Sequence, residues 1–141
     1  MSLRTVRDSE GNHYVLEKQS AQSSLVRDPE TGERQHLPND ELEPVSGQSP
    51  LVTTARTVSG DVLTLVSAVH DERTLGLLLE LSQTGPIAVR TLLSSYDLCE
   101  SDLHGMLAEL QAAGLIRKER VAGERGYATT EAANAALDRL Q

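Results

Sequence analysis

Two interruptions constrain this chain more than any other feature: Gly85-Pro86 and Gly114 cut residues 71–140 into short helical stretches that cannot merge. Proline lacks an amide hydrogen and clashes with the preceding turn, and glycine takes the positive φ at which helices end. Before the first stop, Leu75, Leu78, Leu79 and Leu81 recur at helical spacing over residues 71–83, and Asp71 and Glu72 sit where carboxylates favour the helix dipole. A second helix is predicted over 87–95, with Ile87, Val89, Leu92 and Leu93 inward and Arg90 and Thr91 outward. Residues 94–98 make a turn. A third helix starts at Cys99 or Glu100 and runs to Gly114, with Leu103, Leu107 and Leu110, joined by Met106, on one face. Leu115 and Ile116 then enter a hairpin in which two basic strands flank Ala122-Gly123-Glu124. Thr130 caps a final helix over 131–140, packing through Ala132, Ala133, Ala136, Leu137 and Leu140.

The first half of the chain has a different grammar. Val6-Arg7-Asp8-Ser9-Glu10-Gly11 recurs twenty residues later as Val26-Arg27-Asp28-Pro29-Glu30-Thr31-Gly32. Each copy places Asp, Glu and Gly between runs able to pair as strands, which predicts two β-hairpins, 3–8 with 12–18 and 23–28 with 34–37. Leu3, Val6, Tyr14, Leu16, Leu25, Val26 and Leu37 supply one apolar face. Residues 38–42 suit a short helical turn, and residues 43–50, rich in Pro, Gly and Ser, read as a linker. Residues 51–70 carry Val58, Val62, Leu65, Val66 and Val69 at helical spacing and almost no charge. Gly60 and the β-branched residues leave a two-piece helix open, and a strand over 62–69 as well. An uncharged stripe in an acidic chain points to burial, on its own domain or against a second copy, so these five residues are the expected dimer contact. The division is therefore 1–42 hairpins, 43–50 linker, 51–70 connecting or dimer helix, and 71–141 the helical and hairpin domain.

The net charge is −8, and the 13 basic residues are 11 Arg with only Lys18 and Lys118. With no Phe and no Trp, the core rests on Leu, Val, Ile, Ala and the three Tyr. Acid-rich, lysine-poor surfaces resemble those of halophilic archaea, where concentrated salt screens self-repulsion. The single Cys99 excludes an internal disulfide and a cysteine-based zinc cluster. No apolar run is long enough to span a bilayer, and a soluble, cytoplasmic protein with no membrane partner is expected.

The run from Leu98 to Ile116, followed by Gly126-Tyr127 and Thr129-Thr130-Glu131, resembles winged helix-turn-helix transcriptional regulators of the MarR, ArsR and TrmB type. The whole chain also resembles a small group of haloarchaeal winged-helix proteins. The expected fold is α+β, a winged helix-turn-helix domain with an N-terminal β-hairpin extension. What the resemblance implies is a DNA-binding regulator that acts as a homodimer on double-stranded DNA. Its third helix would lie in the major groove, and its wing would touch phosphates or the minor groove.

The DNA-binding residues expected on that basis are Arg90, Ser101, His104, Arg117, Lys118, Arg120 and Arg125. The charges do not all agree. Asp97, Glu100, Asp102 and Glu109 surround the third helix, which carries no Lys or Arg, so its face repels phosphates and cannot make the common Arg or Lys contact with guanine. The wing is basic. A rival reading is a protein-interaction module on a winged-helix fold, with a protein partner in place of DNA. His13, His36 and His70 are scattered without metal-ligand spacing, and Cys99 suits a helix start. No nucleophile–base pair or phosphate-cradling glycine loop is present, so no enzyme, no metal and no cofactor are expected.

Overall fold

The computed structural model describes residues 2–141, which fall into two compact units that divide between Ser59 and Gly60. The first unit is a five-stranded antiparallel sheet. Strands β1 (Arg4–Arg7), β2 (His13–Gln19), β3 (Ser23–Arg27) and β4 (Arg34–Pro38) form a continuous meander, and β5 (Glu43–Pro44) returns to the free edge of β1, giving the order β4-β3-β2-β1-β5. The internal repeat has a physical meaning here. Asp8 Oδ1 accepts from the backbone amides of Glu10 and Asn12, and Asp28 Oδ1 from those of Glu30 and Thr31, so the same side chain closes both turns. Gly11 and Gly32 supply the positive φ in each.

Both faces of the sheet carry buried residues. Val6, Leu16 and Val26 are buried on one, with Tyr14, Leu37 and Leu42 against them. Leu3, expected there, is exposed. On the other face Thr5 and Val15 are buried beneath helix α1 (Pro50–Ala55), whose Thr53 hydroxyl meets that of Thr5 at 2.7 Å. The linker expected over 43–50 is corrected accordingly. Its first residues form β5, the Val45 amide donates to the Thr5 carbonyl, and Ser49 caps α1 through its hydroxyl. Pro44 is tolerated because it lies on an edge strand, where no ladder amide is required of it.

The second unit holds α2 (Gly60–Ala68), α3 (Glu72–Thr84), β6 (Ile87–Ala88), α4 (Val89–Ser95), α5 (Glu100–Ala112), β7 (Ile116–Val121), β8 (Glu124–Thr129) and α6 (Glu131–Leu140). This is the α+β winged-helix arrangement. Asp71 and Thr130 cap α3 and α6 through their side chains, and Gly114 takes φ 77° after α5. The Thr130 hydroxyl also donates to the Gly114 carbonyl at 2.7 Å, tying the end of α5 to the start of α6. Leu103, Leu107 and Leu110 are all buried, with Leu78, Leu81, Leu92, Leu115 and Leu137 in the same core.

Four expectations are corrected. The buried stripe of α3 is Thr74, Leu77, Leu78 and Leu81, and Leu75 and Leu79 flank it half-buried: the stripe is rotated toward the face that packs on β8. Ile87 is not helical. Ile87 and Ala88 pair with Tyr127 and Gly126 as a third strand, so α4 starts at Val89. The wing turn has two residues, Ala122 (φ 51°) and Gly123 (φ 82°), because Glu124 pairs with Val121. Ala132 and Leu140 of α6 face solvent.

The segment 51–70 is two helices, one in each unit, separated by residues 56–59. Its valine and leucine residues do not form one face. Leu65 is buried in the core of the second unit, and Val62 and Val69 pack against that core. Val66 is exposed, and Val58 is an exposed residue of the first unit. Leu65 is therefore unavailable to a partner surface.

Candidate nucleic-acid interface

Helix α5 is positioned by its leucines and by its cap. Cys99 Sγ accepts from the Asp102 amide at 3.4 Å, a structural use of the lone thiol. With Leu103, Leu107 and Leu110 inward, the solvent side presents Glu100, Ser101, Asp102, Gly105 and Ala108. His104 is half-buried with Nε2 3.5 Å from Glu100 Oε1. Asp102 Oδ2 lies 3.9 Å from an Arg73 guanidinium nitrogen, a contact between two exposed groups that is worth little in water. The outer face of α5 is thus acidic in three dimensions as well as in sequence. Among the titrating groups of this unit, Asp71 is held below the ordinary carboxylate range by the backbone and side-chain hydrogen bonds of Thr74 that make it the cap of α3.

The wing is organised by strand register. Lys118 pairs with Tyr127, Glu119 with Gly126, Arg120 with Arg125 and Val121 with Glu124. Side chains alternate between faces with period two, and directly paired residues share a face. Lys118, Arg120 and Arg125 therefore lie on one face, and Arg117, Glu119 and Glu124 on the other. The ion pairs follow this division. Arg117 contacts Glu119 at 3.5 Å, and Arg90, in the first turn of α4, contacts Glu124 at 3.5 Å. Among the described residues no carboxylate lies within salt-bridge distance of Lys118, Arg120 or Arg125. Arg120 is held at the tip by donating to the Gly123 carbonyl at 2.8 Å.

Gly126 makes this wing possible. A Cβ there would lie 2.7 Å from the Ile87 carbonyl oxygen, 2.9 Å from a Val121 methyl and 3.0 Å from the Glu119 carbonyl oxygen. The two backbone oxygens cannot swing aside, so only glycine lets β6 approach β8.

Of the seven residues expected at DNA, the structure brings together Lys118, Arg120 and Arg125. It places Arg117 on the opposite face beside Glu119, sets Arg90 against Glu124, and leaves Ser101 and His104 on the acidic α5. Gly126, Glu119 and Glu124 were not among the expected site residues. The period-two alternation of a strand was the signal that separates them. Among the described residues no group of three or more His, Cys, Asp or Glu is placed to hold a metal, and no helix is long and apolar enough to cross a membrane.

A model of a family of unknown function, DUF7346, matches residues 3–141. The chain belongs to that family. No curated protein matches this DUF7346 chain. Among solved structures, it is similar to HlyU from Vibrio cholerae N16961, with 27% identity and a TM-score of 0.50 over 60% of this chain and 92% of that one. It is also similar to the transcriptional regulator HlyU from Vibrio vulnificus CMCP6, with 25% identity and a TM-score of 0.50 over 64% and 94%. An ArsR-like transcriptional regulator from Rhodococcus sp. RHA1 matches at 22% identity with a TM-score of 0.47 over 57% and 74%. The Vibrio vulnificus neighbour is a transcriptional regulator.

Proposed function

We propose that the DUF7346 chain is a DNA-binding transcriptional regulator that meets the duplex chiefly through its wing. The observation that carries this reading is the cationic face of Lys118, Arg120 and Arg125, which the strand register keeps clear of the carboxylates on the other side. The likeness to HlyU supports it. Phosphate neutralisation supplies most non-specific affinity, and on this chain the wing is where unpaired cations concentrate. Helix α5 enters or lies along the major groove with Ser101 and His104 toward the bases, and its acids confine it to weak or cytosine-directed contacts. Arg90 and Arg117 contribute by exchanging their carboxylate partners for phosphate.

A homodimer is part of the proposal, with α2 as the contact. The exposed Val66 anchors it, and Val62 and Val69 form its half-buried margin. The protein works in the cytoplasm of a cell with concentrated internal salt, which the acid excess suits.

The test is fluorescence anisotropy on genomic fragments across a salt series. The three phosphate contacts of Lys118, Arg120 and Arg125 contribute about −3 to the slope of log affinity against log salt. The Lys118→Gln, Arg120→Gln, Arg125→Gln triple variant flattens that slope and weakens binding by roughly a hundredfold or more. An unchanged slope in the triple variant rules the wing out.

A second reading is favoured by one observation, the acidic outer face of α5, which suits a basic protein partner better than a phosphate backbone. It predicts that the wild-type chain shows no salt-dependent DNA binding.

A further inference from the structure

The first unit contains a cavity of about 410 Å³ between its two aspartate-closed turns and the end of α1, lined in part by Asn12, Tyr14, Asp28, Glu30, Gln48 and Arg56. Its volume falls in the range of small-molecule pockets. Opposite charges face it from its two sides without neutralising each other. Among the described residues Arg56 has no carboxylate within salt-bridge distance, and neither Asp28 nor Glu30 has a cation. One guanidinium nitrogen is nevertheless held. Arg56 Nη1 donates to Gln48 Oε1 at 3.1 Å, Gln48 Nε2 donates to Thr53 Oγ1 at 2.9 Å, and Thr53, 3% exposed, meets the Thr5 hydroxyl at 2.7 Å. A polar chain rooted in the buried Thr5–Thr53 pair and running through the half-buried Gln48 thus anchors one N–H of the exposed guanidinium to the sheet and leaves its others for a ligand. On the far side, Asp28 spends one oxygen on the turn amides of Glu30 and Thr31.

We propose that this cavity binds a small zwitterion of the amino-acid type, with its carboxylate on Arg56 and its ammonium on Asp28 and Glu30. A simple anion would confront two carboxylates, and a simple cation would confront the guanidinium. A molecule carrying both charges satisfies both walls and replaces the water lost on entry with charge-assisted hydrogen bonds. This goes beyond the DNA reading and does not depend on it: the cavity belongs wholly to residues 1–59.

The test uses ¹⁵N amide spectra of the full chain, titrated with the standard amino acids singly and with acetate and methylammonium as half-ligands. The expected result is saturable shifts of the Asn12, Glu30 and Arg56 amides with at least one amino acid, which neither half-ligand reproduces. Arg56→Gln and Glu30→Gln, both at exposed positions, keep the folded spectrum and weaken binding by roughly tenfold or more each. Absence of saturable shifts with every amino acid overturns the proposal. So does reproduction of the shifts by acetate or methylammonium alone, or wild-type affinity in both variants. None of these outcomes bears on binding to DNA.

Discussion

Helix α5 and the wing are adjacent parts of one unit, and they sort charge in different ways. On a helix the solvent face gathers residues from every turn, so Ser101, Gly105 and Ala108 share one surface and Glu100 and Asp102 flank it on either side. On a strand, neighbours in sequence lie on opposite faces. A stretch that reads as a mixture, Arg117-Lys118-Glu119-Arg120, becomes a face with two cations and a face with an ion pair. The net charge of a segment is therefore a poor guide to what a duplex meets, and the period of the element decides it. This is why the wing, only modestly basic by count, is the stronger candidate for phosphate contact.

The largest test of this contrast breaks the wing without touching a charge. Gly126→Ala places a methyl against two backbone oxygens and should cost about 2–3 kcal/mol, lowering the thermal midpoint and disordering β6 as seen by amide exchange. Because the cationic face depends on the strand register, DNA affinity should fall with it. A variant that is as stable and binds as well as wild type would show that the wing does not need the third strand.

A smaller effect is expected from the helix. Glu100→Gln with Asp102→Asn removes two charges that repel phosphate and should raise DNA affinity several-fold at low salt, with the gain fading as salt rises. The change weakens the favourable interaction with the helix dipole, about 0.5 kcal/mol, so stability falls slightly while binding improves. Lower affinity in this variant would mean that the acids make base contacts, and the contrast between helix and wing would have to be redrawn.

Acid pH separates the two helix caps. The Asp71 carboxyl sits below its ordinary range in the folded chain because the Thr74 hydrogen bonds favour the charged form. A lowered folded value means a contribution that is complete above the ordinary carboxylate range and is lost as pH falls below roughly 4. The cap of α5 is the Cys99 sulfur, which accepts from the Asp102 amide, and Asp71 takes no part in it. In Asp71→Asn the acid-induced loss of α3, followed by amide exchange, should be shallower than in wild type, and α5 should be indifferent to the change. The smallest effect belongs to Arg117→Gln, which lies on the paired face and should alter affinity by about twofold or less. A drop as deep as that of Arg120→Gln would show that the two faces are not distinct.

The helices of the second unit were legible because their signals are local: Asp71 and Thr130 announce caps, Gly114 announces a stop, and Leu103, Leu107 and Leu110 repeat with the helical period. The Asp8 and Asp28 repeat announced two turns for the same reason. What the residues did not disclose depends on partners distant in sequence. Ile87-Ala88-Val89 continues the apolar pattern of α4, and only pairing with Gly126 and Tyr127, some forty residues away, pulls the first two residues into a strand. The same holds for β5, and for α1, whose Thr53 explains why Thr5 is buried on the face opposite Val6 and Leu16. The candidate site was legible as a set of cations but not as a surface. Lys118, Arg120 and Arg125 could have been separated from Arg117 by strand parity alone.

The junction of β6 with β8 has a mechanical side. It clamps Gly126 and Tyr127, so only two residue pairs and the Ala122-Gly123 turn project beyond the clamped point. A projection that short has little slack, and docking it costs little ordering entropy. It also cannot bend to suit the groove. On the proposed DNA reading the compliance must come from the duplex, and sites whose base steps deform easily would be preferred without a single base being touched.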